Sequence, residues 1–123
     1  MKKIFFALLV TLLAAGAHAQ LANTKWKTTL KLDNPLDVVF EFGKDTLNVN
    51  AVADGSLVET MVYSVKDSVL TIQKTSGQSD CDGSTIGKYK FEMKDSNTIL
   101  ITLVSDDCTD RSQVLDGETW VKG

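Results

Sequence analysis

From Thr24 to Lys122 the chain alternates apolar and polar residues in eight short runs separated by turn residues. Successive side chains on a strand point to opposite faces, so such runs demand a sheet that is packed on one side and wet on the other. The first run sets Trp26, Thr28, Leu30 and Leu32 against Lys25, Lys27, Thr29 and Lys31. After Asn34-Pro35, the inward set is Val38, Phe40 and Phe42, and beyond Gly43-Lys44-Asp45 it is Leu47, Val49 and Ala51. Asp54-Gly55 is the next turn. The run from Leu57 to Val65 admits two inner sets, Val58/Thr60/Val62 and Met61/Tyr63/Val65, of which the second is preferred. Past Lys66-Asp67-Ser68, Leu70 and Ile72 face inward, and Tyr89, Phe91 and Met93 then alternate with Lys88, Lys90 and Glu92. Ile99, Ile101 and Leu103 follow the Asp95-Ser96-Asn97 turn, and Thr119 to Lys122 make a short last strand. Helical periodicity is expected nowhere in this region.

These runs predict an all-β fold, an eight-stranded antiparallel up-and-down β-barrel whose last strand pairs with its first and leaves no edge exposed. In such a meander, alternate connections share one end of the barrel. The two long connections, Thr75 to Ile86 and Ser105 to Gly117, fall at the same end, and each carries one of the two cysteines, Cys81 and Cys108. Strand periods alone thus bring both thiols to one rim, as a disulfide requires. A structural bond there is expected to contribute about 3 to 4 kcal/mol. A free redox thiol is the alternative.

The first nineteen residues read as an export signal. Lys2 and Lys3 precede an apolar segment from Ile4 to Leu13, and Ala17-His18-Ala19 offers small residues for cleavage before Gln20. That apolar segment is too short for a membrane anchor, and no other run approaches the necessary length. Residues 20–123 then form one barrel domain, periplasmic or secreted, where cysteines are usually oxidised. Acidic side chains outnumber basic ones by 16 to 13 over the whole chain, and the signal removes two of the lysines. Nucleic acid is therefore not expected as a partner. The only histidine, His18, also leaves with the signal. Without it there is no Ser-His or Cys-His pair and no imidazole ligand, so neither an enzyme nor a cofactor is expected. The rim acids Asp80, Asp82, Asp106, Asp107 and Asp110 read as solvated loop charge rather than a calcium loop, whose spacing they do not match.

Leu21-Ala22-Asn23-Thr24-Lys25-Trp26 resembles the opening of lipocalin-like barrels, with Thr24 standing where glycine is usual before the tryptophan. The stretch from Cys81 through Gly87-Lys88-Tyr89 to Arg111 and Trp120 resembles small secreted bacterial lipocalin-like domains. Their Asp-x-Cys-x-x-Arg element is matched by Asp106, Cys108 and Arg111. Longer lipocalins keep an arginine in the last strand against the first tryptophan, whereas Arg111 falls in the preceding loop. The resemblance implies a non-catalytic binding protein for a small apolar or amphipathic molecule entering at the long-loop rim. The alternatives are a small-barrel protease inhibitor acting through its N-terminal tail, with a protein partner at the rim, and an envelope domain with no ligand.

Trp26, near the short-turn end, and Trp120 are expected in the core. The candidate ligand-binding residues are Phe40, Phe42, Tyr63, Tyr89, Phe91 and Arg111. The aromatics either fill the barrel or line a pocket, and the two tyrosines each need a partner for the hydroxyl. Arg111 is expected to pair with Asp106 or Asp107, with anion binding as its other role.

Overall fold

The structure, a computed structural model, describes residues 21–123; the expected export signal and its cleavage site lie outside the described residues. Alternating runs become strands β1 (Lys25–Leu30), β2 (Leu36–Phe42), β3 (Thr46–Ala51), β4 (Leu57–Lys66), β5 (Val69–Gly77), β6 (Ile86–Asp95), β7 (Thr98–Asp106) and β8 (Thr119–Lys122). Each pairs antiparallel with the next, and β8 returns to β1 through Trp26 opposite Lys122 and Lys27 opposite Val121. The barrel is closed. Closure pairs Trp26 and Lys27 of β1 and Thr98 to Leu100 of β7 with β8, so neither end strand of the meander is left as a free edge along that stretch.

The inner faces follow the alternation. Val38, Phe40, Phe42, Leu47, Val49, Met61, Tyr63, Leu70, Ile72, Tyr89, Phe91, Ile99 and Ile101 are buried in one cluster. The preferred register of β4 holds, with Met61 and Tyr63 inside and Val62 exposed. At the short-turn end, Trp26 is buried and its Nε1–H donates to Thr24 Oγ1 at 2.8 Å. Leu21, also wholly buried, packs in this same core.

Three local expectations are corrected. Leu32 lies beyond the end of β1 and is 45% exposed, because the chain turns away after Leu30. Thr75, Ser76 and Gly77 belong to β5 rather than to the long loop. Most important, Thr109–Leu115 form a seven-residue helix, α1, where no helix was expected. Its buried residues, Arg111 and Leu115, are four apart and share a face. One of the pair is charged, which hides the period.

Cys81 and Cys108 form a disulfide with Cα atoms 5.6 Å apart, joining the β5–β6 and β7–β8 connections at one rim. No helix among the described residues is long and apolar enough to cross a membrane. A cross-link spanning 27 positions removes unfolded-chain entropy worth on the order of 3 kcal/mol. Reduction should therefore lower the melting temperature by more than about 10 °C while leaving the far-ultraviolet circular dichroism of the folded state unchanged. An unchanged melting temperature after complete reduction would contradict this role.

Candidate functional site

Cross-strand register stacks the barrel interior in layers. Phe40 lies opposite Val49, and Phe42 opposite Leu47, which in turn lies opposite Met61. Phe42 meets Tyr63 edge-on at 5.0 Å and Trp120 at 6.0 Å, filling the short-turn half. Toward the long-loop rim the side chains stop meeting. A cavity of about 480 Å³ opens there. Phe40, Val49 and Met61 line its inner part, with Phe40 backed by Trp120 in a stack of 4.3 Å. Leu30, Leu36 and Val58 line its walls, while Val114 and Leu115 of α1 border it on the side of the β7–β8 connection. Polar lining comes from Lys31, Asp33, Glu59, Gln78, Ser79, Asp80, Asp110, Arg111 and Gln113.

Arg111 reaches from α1 to the end of β7. Its Nε–H donates to Asp106 Oδ2 at 2.7 Å and its Nη2–H to Asp106 Oδ1 at 2.9 Å, a two-point pair from which water is almost excluded. Nη2 also donates to the Thr85 carbonyl at 3.0 Å. The Tyr89 hydroxyl donates to Asp106 Oδ2, and the Cys108 backbone N–H donates to Oδ1. Burial by itself would push the Asp106 carboxyl up. The hydrogen bonds from Arg111, Tyr89 and Cys108 outweigh that and hold it below its ordinary range. Burial and the adjoining carboxylate push the Tyr89 hydroxyl strongly up, so it stays protonated as a donor. The expected pairing of Arg111 thus falls on Asp106, which ends β7 and is buried rather than a solvated rim charge; its partners converge on it from β6, α1 and the connecting turn.

Of the residues expected at a ligand site, Phe40 and Arg111 line the cavity. Phe42, Tyr63, Tyr89 and Phe91 pack within the core instead, and both tyrosine hydroxyls have protein partners, Tyr63 donating to the Gly43 carbonyl at 2.6 Å. Glu59 was missed. It is buried on the inner face of β4, accepting from the Ser79 backbone N–H at 3.2 Å and from its hydroxyl at 2.8 Å, with Lys74 Nζ 3.9 Å away. The signal was present, since Glu59 shares period-two spacing with Met61 and Tyr63. A Cβ on Gly77, which has φ +137°, would meet Glu59 Oε1 at 2.5 Å, so glycine there lets β5 approach. Among the described residues, no group of three or more acidic or sulfur side chains is placed to hold a metal ion. No protein-family model, no curated protein and no solved structure matches this chain.

Two substitutions test this electrostatic frame. A Cβ on Gly87 would lie 2.6 Å from Asp106 Oδ2 and 3.0 Å from Arg111 Nη2. Gly87→Ala should therefore displace the ion pair and cost about 2 kcal/mol in denaturant unfolding, whereas Gly55→Ala, at a site with open space, should show only its local backbone penalty. Glu118 is buried with Oε1 unpartnered, and burial raises its carboxyl above the ordinary value against the smaller opposing effects of Lys31 and Thr28. A raised folded-state value means that its contribution is fully present below the unfolded-state value and is lost as pH rises through the folded one. Glu118→Gln should accordingly gain stability relative to the native chain between about pH 4 and pH 7. A pH-independent difference would contradict that assignment.

Proposed function

We propose that this protein is an exported, non-catalytic, lipocalin-like carrier of a small apolar or amphipathic molecule held at the barrel rim. The observation that carries the reading is the cavity of about 480 Å³, within the roughly 300 to 1,000 Å³ range of small-molecule sites. Its apolar lining from Leu30, Leu36, Phe40, Val49, Val58 and Met61 supplies affinity by removing hydrocarbon from water. The disulfide beside the rim fits a chain that works in an oxidising compartment. Leu21, the residue on which an insertion tail would draw, is buried in this barrel's own core, which favours the carrier over the inhibitor.

Native mass spectrometry of the protein purified under mild conditions is expected to show a co-purified small molecule or, after delipidation, uptake of the neutral apolar dye Nile red. Val58→Trp, a wall substitution at a partly buried position, should abolish dye uptake with a melting temperature within a few degrees, about 1 kcal/mol, of the native value. Uptake undiminished in that variant would place binding elsewhere.

A further inference from the structure

Two openings meet at the long-loop rim. Beside the cavity of about 480 Å³ lies a groove of about 290 Å³ at the Cys81–Cys108 bond, and Asp80 and Asp110 line both. Asp82 and Asp107 complete the charged lining of the groove, which includes no lysine or arginine. In the cavity the lining acids are Asp33, Glu59, Asp80 and Asp110, and the lining bases are Lys31 and Arg111. Pairing removes half of the positive side of that balance. Arg111 is neutralised by Asp106 and Glu59 has Lys74 at 3.9 Å, whereas no ion pair among the described residues engages Asp33, Asp80, Asp107 or Asp110. Among the cavity-lining residues Lys31, whose Nζ donates to the Asp116 carbonyl at 2.9 Å, is the one cation left to oppose them.

The cavity is thus graded, apolar within at Phe40, Val49 and Met61 and negative at the mouth, where Asp33, Asp80 and Asp110 are exposed. Water screens each carboxylate, but their fields add across the opening, and charge of one sign beside a low-dielectric wall is focused rather than dissipated. An anionic head group at the mouth would meet carboxylates with no counter-charge, and a neutral one would gain nothing from them. The acids are not grouped to hold a metal ion. A cation carried on a hydrocarbon body needs no closed set of ligands, because the body fixes its place and the summed field acts without contact. Resting on the reading of this cavity as a binding site, we infer that its ligand is a cationic amphiphile, an amine whose hydrocarbon body packs against Phe40, Val49 and Met61 and whose ammonium lies at the mouth beside Asp80 and Asp110. The apolar cavity supplies the affinity, and the carboxylates select among bodies of equal size.

The test is competition for Nile red bound to the full chain at neutral pH and low ionic strength, with decylammonium, decanol and decanoate as competitors of matched body, each kept below its micelle-forming concentration. Decylammonium is expected to displace the dye at about tenfold lower concentration than decanol, with decanoate the weakest of the three. Sodium chloride at about 1 M should shrink the advantage of the amine over the alcohol to under about threefold, a measurement that needs no variant. Asp80→Asn combined with Asp110→Asn, at two exposed positions, should shrink it as far while leaving Nile red and decanol binding unchanged. Asp67→Asn combined with Glu92→Gln subtracts the same charge from exposed positions toward the opposite end of the barrel, and should preserve the advantage. Decylammonium no better than decanol at low salt, or an advantage that survives salt or the Asp80/Asp110 variant, or one lost equally in the Asp67/Glu92 variant, would overturn the inference while leaving the cavity a binding site. Failure of every competitor and of the dye would remove both.

Discussion

The mouth of this barrel depends on the buried pair of Arg111 and Asp106. Bringing a guanidinium and a carboxylate out of water is expensive, and the attraction between them compensates only when the remaining donors and acceptors are also satisfied. Here Asp106 accepts from Arg111, Tyr89 and the Cys108 backbone, and Arg111 also reaches the Thr85 carbonyl. Those contacts connect β6, β7, the β5–β6 connection and α1 at a single point. The disulfide joins the same two connections through Cys81 and Cys108. Covalent and ionic ties therefore fix α1 beside the opening, where Leu115 packs on the core and Val114 borders the cavity.

Below that rim the interior divides by packing. Leu21, Trp26, Phe42, Leu47, Tyr63 and Trp120 are buried in continuous contact toward the short-turn end, which gives the barrel its stability. Phe40 stands at the boundary, with Trp120 stacked behind it and the cavity in front. A barrel of eight short strands is narrow enough for side chains to fill or to leave room for one small ligand. This one does both, in different halves. The core and the cavity wall share Phe40, Val49 and Met61, whereas Val58 lines the cavity and is only partly buried against the core.

Much of this organisation was legible in the sequence because strand alternation is a strong local signal. Strand order, closure, the inner sets from Val38 to Ile101 and the common rim of Cys81 and Cys108 all follow from period-two spacing and loop parity. Helix α1 escaped because seven residues offer barely one repeat, and its buried face is an arginine and a leucine. Glu59 escaped notice, and Asp106 was grouped with the solvated rim acids even though its pairing with Arg111 was expected, because burial of a carboxylate depends on partners distant in sequence, Ser79 for the first and Tyr89 for the second. The division between candidate residues that line the cavity and those that fill the core was equally hidden. It depends on height along the barrel axis, which alternation does not encode.

The account stands most directly on where a bound molecule sits. Backbone chemical shifts recorded while Nile red is titrated into uniformly labelled protein would locate it residue by residue. Perturbations should concentrate at Leu30 to Leu36, Val58 to Met61, Ser79 to Asp80 and α1, with the β2–β3 and β6–β7 turns at the opposite end unmoved. Shifts confined to the barrel exterior or to those turns, or none at saturating dye, would contradict it.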